Sequence, residues 1–434
     1  MLELVGILIF LLVIGFSIAL HEFGHLIPAK KFGVKVTEYA VGFGPHVWKK
    51  QVGETKYAIR AIPLGGYIRM IGMYAVSRKD QRRVGGPFAD LIDHAREESA
   101  AEIQPGEEGR TFYALPVWKK LIIMIGGPFM NLVLAVLFFS IVFSGIGVAT
   151  ATTQVGEIVA CVPTESDLWG DGSATGCLDS PQTPAALSGI REGERLVRIG
   201  QTRINSWQDV GRAISAATSN DVVVIVENSA GQKRSLDVTL ATLDITMVDD
   251  DGNPTGEVID RRFLGVSPEI ILAPMPITAV PGEMWRMTTA SISALISFPE
   301  KIAALVVTMV NGEDRDPNGP VSVVGVSRIS GEIVASDLGN IEKVQNLLGL
   351  AASLNLFLFI FNLVPLLPLD GGHAAGAIFE GIRKRIARLR NMPDPGPIDT
   401  ARALPLTYVV AALLLSAGLI VIVADILNPI SLFG

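Results

Sequence analysis

Four stretches of this chain are too apolar to rest in water. Residues 4–20 (LVGILIFLLVIGFSIAL) carry no charged side chain, and comparable runs lie at about 118–147, 344–366 and 404–427. Each has on the order of 20 apolar residues, enough for an α-helix to cross a hydrocarbon core. With 49% hydrophobic and only 18% charged residues, the chain is too apolar for an ordinary soluble enzyme and too charged to be membrane throughout. The expectation is a polytopic α-helical membrane protein of about four spans, with at least one extramembrane domain. Its net charge of −7, and the lack of a basic patch interleaved with aromatics, argue against a nucleic-acid partner. The opening residues MLEL include Glu3 and no Lys or Arg, so the first run lacks the basic region of a cleaved signal and is read as a retained span.

Basic residues set the expected orientation. Residues 26–85 hold 12 Lys and Arg against 3 acids, and Arg383-Lys384-Arg385, Arg388 and Arg390 crowd residues 376–403. The segment 148–285 holds 9 against 19 acids. The positive-inside rule then puts the two basic loops in the cytoplasm of a cell-membrane protein, with both termini outside. Residues 286–310 contain Arg286, Glu300 and Lys301, and read either as surface-lying amphipathic helices within 272–343 or as a weaker span. Residues 76–117 are charged and Gly-rich and read as a flexible cytoplasmic loop in which His94 is solvated.

At the cytoplasmic end of the first span (1–33) stands His21-Glu22-Phe23-Gly24-His25. Residues four apart share a helix face, so His21 and His25 can address one ion, with Glu22 beside them to activate water. That combination is what zinc hydrolysis needs from a Lewis acid and a general base. The bland alternative is a set of polar residues snorkelling at a membrane boundary. The third span (344–375) ends in Asn362-Leu363-Val364-Pro365-Leu366-Leu367-Pro368-Leu369-Asp370-Gly371-Gly372-His373. Its prolines break the helix, and an aspartate buried there wants a cation. By the span count Asp370 lies at the depth of the histidines, which makes it a suitable third ligand; His373 is the rival.

Between these motifs lie two further patterns. Residues 34–75 hold four short β-like runs separated by Gly42–Pro45, Val52–Glu54 and Pro63–Gly66, a membrane-associated hairpin region. The second span (118–147) contains Gly126 and Gly127, read as packing residues, and Asn131, whose intramembrane amide needs a partner. Residues 154–271 form the one clear globular module. Its segment PAALSGIREGERLVRIGQTRINSWQDVGRAI, followed by a hairpin around Ser229-Ala230-Gly231, resembles a circularly permuted PDZ domain. That likeness places Leu264, Gly265 and Val266 in the peptide-carboxylate loop and implies a groove working by strand addition. Shading the membrane site is the other role open to it. Cys161 and Cys177 both fall in this module, and pairing or two separate small residues are both open.

Taken together, HEFGH, PLGGY, GGPFMN, the PDZ-like insert and NLVPLLPLDGGH resemble the site-2 protease family of intramembrane zinc metalloproteases, over nearly the whole chain. The likeness is nearest to bacterial, actinobacterial-like members that cut membrane-tethered anti-sigma factors. It implies zinc on His21, His25 and Asp370, with Glu22 activating water. It also implies substrate contacts at Asn362, with Asn131, Gly65 and Gly66 lining the path of an unwound substrate. The substrates implied are single-span proteins already trimmed by another protease. Two departures stand out. Family members commonly place proline where this chain has Leu367, with Pro368 one position later, and many carry two PDZ domains where one fits here. A non-catalytic PDZ-type membrane adaptor or quality-control scaffold is the alternative. A metal transporter is disfavoured because 4–20, 121–147 and 346–366 contain no further ionisable residue.

Overall fold

The computed structural model describes residues 2–74, 88–162, 181–248, 254–313, 315–317 and 319–430. The chain divides into two compact units, Met1–Gly145 with Pro276–Gly434, and Ile146–Met275. Among the described residues, four helical stretches are long and apolar enough to cross a membrane: Leu2–Lys31, Val117–Ile146, Asn340–Asn362 and Thr400–Leu427. This is a polytopic membrane protein.

Helix α1 (Leu2–Lys31) leads into two long strands, β1 (Val36–Val52) and β2 (Thr55–Met70). These bend back on themselves. Residues 48–52 pair with 55–59, while Glu38–Val41 pair with both Lys56–Ile59 and Gly66–Arg69. The four short runs read from sequence thus lie side by side as one sheet. Gly53 and Glu54 make its tip, and the Gly42–Pro45 and Pro63–Gly66 breaks are bends within strands. Residues 75–87 of the expected flexible loop fall outside the described residues. The remainder is not irregular: α2 (Ala89–Ala101) buries Ile92 against Ala401 and Leu404, and Phe112 and Leu115 enter the core beneath the sheet. His94 is exposed, as expected.

Helix α3 (Val117–Ser140), prolonged by a wider π turn through Ile146, packs closely on α1. Where they cross, a Cβ on Gly24 would strike the Gly126 carbonyl, and one on Gly126 would strike the Gly24 carbonyl. Only glycine at both positions lets the backbones meet, the usual solution where lipid gives no hydrophobic drive to helix association.

The second unit begins with β3 (Val148–Ile158), α4 (Pro184–Ser188), β4 (Arg195–Ile199), β5 (Thr202–Arg203) and α5 (Trp207–Ser215). It continues through β6 (Asp221–Glu227), β7 (Lys233–Thr239), β8 (Ala241–Val248), β9 (Pro254–Phe263) and β10 (Val266–Ala273). One sheet has the order β10-β3-β4-β6-β7 with β5 on β4, and β8 and β9 form a separate antiparallel pair. Leu196, Ile199, Val224, Val226 and Val238 pack against Val210 and Ala213 of α5 to make a core of its own. The Asp209 carboxylate caps α5 by accepting the Ser206 N–H at 2.8 Å. Cys161 lies at a bridge to Gln182, and Cys177 falls outside the described residues.

Back in the first unit, α6 (Val280–Ile296) and α7 (Phe298–Asn311) meet at 62° and are long and apolar enough to cross only as a pair. Helix α8 (Val323–Ala335), in a region expected to be surface helix and loop, lies against the start of α1. Gly6 leaves room for the Ser330 carbonyl, and Gly331 for the backbone of Glu3. Helix α9 (Asn340–Asn362) stops short of residue 366, where the third apolar run was expected to end, and α10 (Asp370–Leu389) then runs through much of the segment read as a basic loop. The last span is α11 (Leu404–Leu427) with one preceding turn from Thr400.

Candidate metal centre

Helix α1 carries His21 and His25 one turn apart, and each ring is held by α3. The His25 Nδ1–H donates to the Ile123 carbonyl at 2.7 Å. A carbonyl can only accept, so this bond fixes the tautomer and leaves the Nε2 lone pair free. The His21 Nδ1 lies 3.0 Å from the Asn131 amide. An amide turned by half a revolution presents an acceptor there, and that arrangement likewise frees the His21 Nε2. Asn131 is fully buried at this position, bonded to an imidazole.

The third group arrives from the far end of the chain. After α9 the backbone makes a tight series of turns, with the Val364 N–H donating to the Phe361 carbonyl and the Leu369 N–H to the Leu366 carbonyl. Gly371 and Gly372 lie directly on that turn. A Cβ at 371 would collide with the Leu363 and Val364 backbone, and one at 372 would lie 2.5 Å from the Leu367 nitrogen. The glycine pair is thus what allows α10 to start beneath the break, with Asp370 as its first residue. A carboxylate in that place is favoured by the helix dipole.

The His21 Nε2 stands 3.2 Å from the His25 Nε2 and 3.2 Å from the Asp370 Oδ2, which is 3.3 Å from the His25 Nε2. Among the described residues these three form the one group of His, Cys, Asp and Glu side chains able to share a metal ion. Two ligands about 2.0–2.1 Å from a tetrahedral zinc stand about 3.3–3.4 Å apart, so the triangle fits that ion with one position left over. The donor chemistry agrees. Two imidazole lone pairs and a carboxylate oxygen facing one another repel unless a cation lies among them.

Glu22 is buried beside this triangle, 8% exposed, with the Ile68 backbone near its carboxylate. A Cβ on Gly66 would lie 2.9 Å from the Glu22 Cγ, so the Gly66 backbone abuts the side chain. The Tyr39 hydroxyl donates to the Ala19 carbonyl at 2.7 Å and ties the sheet to α1 two residues before His21. Beside Tyr67–Met70 runs a groove of about 520 Å³, walled by α2, by Leu404 and Tyr408, and by His373. His373 therefore faces the groove and lies outside the triangle. Gly65 belongs to the bend of β2 at +116° in φ, where its hydrogen faces the Phe43 ring. Asn362 is the last residue of α9. Leu264, Gly265 and Val266 belong to the other unit, where the Leu264 carbonyl accepts the Ala185 N–H at 2.9 Å and the Gly265 carbonyl accepts the Val159 N–H at 3.1 Å.

Sequence reasoning missed the support given by α3. Its signal was present in GGPFMN, because Gly127 packs face-on against the His25 imidazole and a Cβ there would overlap the Nε2. No pattern could announce the Ile123 carbonyl, since a main-chain acceptor leaves no trace in residue type.

Paired histidines, a carboxylate at matching depth and a buried glutamate at a sheet edge, all within a bundle of membrane helices, define a membrane-embedded metallohydrolase. The family model described as peptidase family M50 matches residues 9–392. Zinc metalloprotease Rip1 of Mycobacterium tuberculosis is 33% identical over 446 aligned residues, covering 100% of each chain. Rip1 of Mycolicibacterium smegmatis is 33% identical over 99% of each, and metalloprotease MmpA of Caulobacter vibrioides 24% identical over 89% of this chain and 90% of its own. The chain belongs to peptidase family M50, the site-2 proteases: it is a multi-pass membrane zinc metalloendopeptidase.

Proposed function

We propose that His21, His25 and Asp370 hold the zinc, that Glu22 is the general base, and that the protein makes the second cut of regulated intramembrane proteolysis on single-span substrates such as anti-sigma factors. The observation that carries this reading is the triangle of donor atoms at 3.2–3.3 Å, built from helices at opposite ends of the chain. When bound, zinc supplies a Lewis acid for the scissile carbonyl and lowers the pKa of water beside it to about 7. Glu22 takes a proton from the attacking water as the C–O bond forms, and returns it to the amine as the C–N bond breaks. A transmembrane substrate hides its carbonyls in helical hydrogen bonds, so it must unwind before attack. Pairing as a strand beside Tyr67–Met70, in the adjoining groove, would offset that cost, with Asn362 and the Gly65-Gly66 bend guiding the chain.

The basic residues within 26–85 and 376–403 support a zinc site near the cytoplasmic side, with both termini extracytoplasmic. Residues 154–271 act as a PDZ-like module that either binds the new end left by an earlier cut, at Leu264–Val266, or keeps untrimmed substrates away. In liposomes, the purified protein should cut a single-span substrate within or beside its membrane segment, as mapped by mass spectrometry of both fragments. Glu22→Gln should retain zinc and abolish the cut, because an amide keeps the shape but accepts no proton. Turnover by that variant within about tenfold of the parent would assign the base elsewhere.

A further inference from the structure

The close contact of α1 and α3 leaves a furrow between the two helices. It encloses about 570 Å³ and is lined by Gly24, Ile27, Ile122, Ile125, Gly126 and Phe129, with Lys31 and Phe32 at one end. Its apolar walls are open: Ile27, Ile122, Ile125 and Phe129 are each 40–56% exposed. Both walls are membrane spans, so what fills the furrow is lipid.

The charged end makes the furrow more than a lipid-facing groove. The Phe32 and Trp118 rings meet edge to face at 5.4 Å, and the Lys119 Nζ lies 5.2 Å from the Phe32 centroid and 5.6 Å from that of Trp118. Lys31 and Lys119 make no ion pair with a carboxylate among the described residues, whereas Lys120 next along is paired with Glu380 at 2.8 Å. Two unpaired ammonium groups, Lys31 in the furrow lining and Lys119 over the rings of Phe32 and Trp118, sit at the end of an acyl-shaped slot. We propose that this furrow is a binding site for one anionic phospholipid, its acyl chain along Ile27, Ile122 and Phe129 and its phosphate between Lys31 and Lys119. The inference needs only that α1 and α3 cross the bilayer, and it stands apart from the assignment of zinc ligands. The occupant would lean on Gly24 and Gly126, the glycines on which the histidine-bearing turn is seated.

Trp118 provides the probe. The intact protein is placed in phosphatidylcholine vesicles containing rising mole fractions of brominated phosphatidylglycerol or brominated phosphatidylcholine. The Trp118 signal is taken as the difference from Trp118→Phe. Brominated phosphatidylglycerol should half-quench at an about fivefold lower mole fraction, the preference that one basic group near a membrane surface supplies. A Lys31→Gln, Lys119→Gln double variant should lose the preference while its quenching by brominated phosphatidylcholine stays unchanged. Excess inorganic phosphate should not relieve the quenching, because the acyl chain is part of what is recognised. Equal half-quenching by the two headgroups in the unaltered protein, which depends on no variant folding, would overturn the proposal. So would relief by phosphate.

Discussion

Each imidazole of the centre is fixed from behind by α3, and the two supports differ in kind. His25 is held by a carbonyl that no substitution removes, His21 by the replaceable amide of Asn131. Loss of an outer hydrogen bond to a metal-bound histidine typically costs 10–100-fold in metal affinity. Asn131→Leu should therefore weaken zinc binding by about that factor, read by competition with a chelating dye, while His25 stays seated. Unchanged affinity would mean that Asn131 serves something other than the ring.

At the scale of elements, the crossing of α1 and α3 is both a packing contact and part of the centre. Gly127→Ala pushes a methyl group into the His25 ring, and forced overpacking costs about 1–3 kcal/mol. The expected result is a lower melting temperature in detergent together with incomplete zinc occupancy. Full occupancy in that variant would show that the ring can yield. The second unit offers a pH test. Burial pushes the Glu194 carboxyl up, but hydrogen bonds from the Arg234 side chain and the Arg191 N–H outweigh it and hold the group below its usual value. The unfolded chain thus binds the proton more readily than the folded one. The contribution is complete above the usual carboxyl range near ~4.3 and fades as pH falls through it and below. Hydrogen exchange at Val224 and Val226 in the intact protein, corrected for intrinsic rate, should show protection lost on going from about pH 7 to about pH 4. Glu194→Gln should be less protected at neutral pH and should lose less on acidification; equal losses would remove Glu194 from the account.

Across the whole molecule, spans and motifs were plain in the sequence because lipid permits few solutions for a long uncharged run. That His21, His25 and Asp370 come together was readable from ligand chemistry and depth. Less legible was whatever tertiary packing makes. Helix α8, rich in Ser and Gly, has little intrinsic drive to be helical and gains it by burial against Gly6. The basic run at 383–390 looks like a loop, yet it forms the last turns of α10 and its cap, and Glu380 of that helix pairs with Lys120, 260 residues away in sequence. The filtering role proposed for 154–271 can be tested because the segment lies in sequence between two spans. Replacing it with a short flexible linker should raise cutting of substrates that keep a folded outer domain, as seen by fragment yield; no gain would leave peptide binding as its task.

The account turns on Asp370 completing the zinc set from the other end of the chain. Zinc content of purified Asp370→Asn and His373→Ala, measured side by side by elemental analysis, tests this directly. Asp370 closes the triangle with both histidines and His373 faces the groove. Asp370→Asn should lose the metal and His373→Ala should keep one zinc per chain. Retention by Asp370→Asn with loss by His373→Ala would contradict the assignment and make His373 the third ligand.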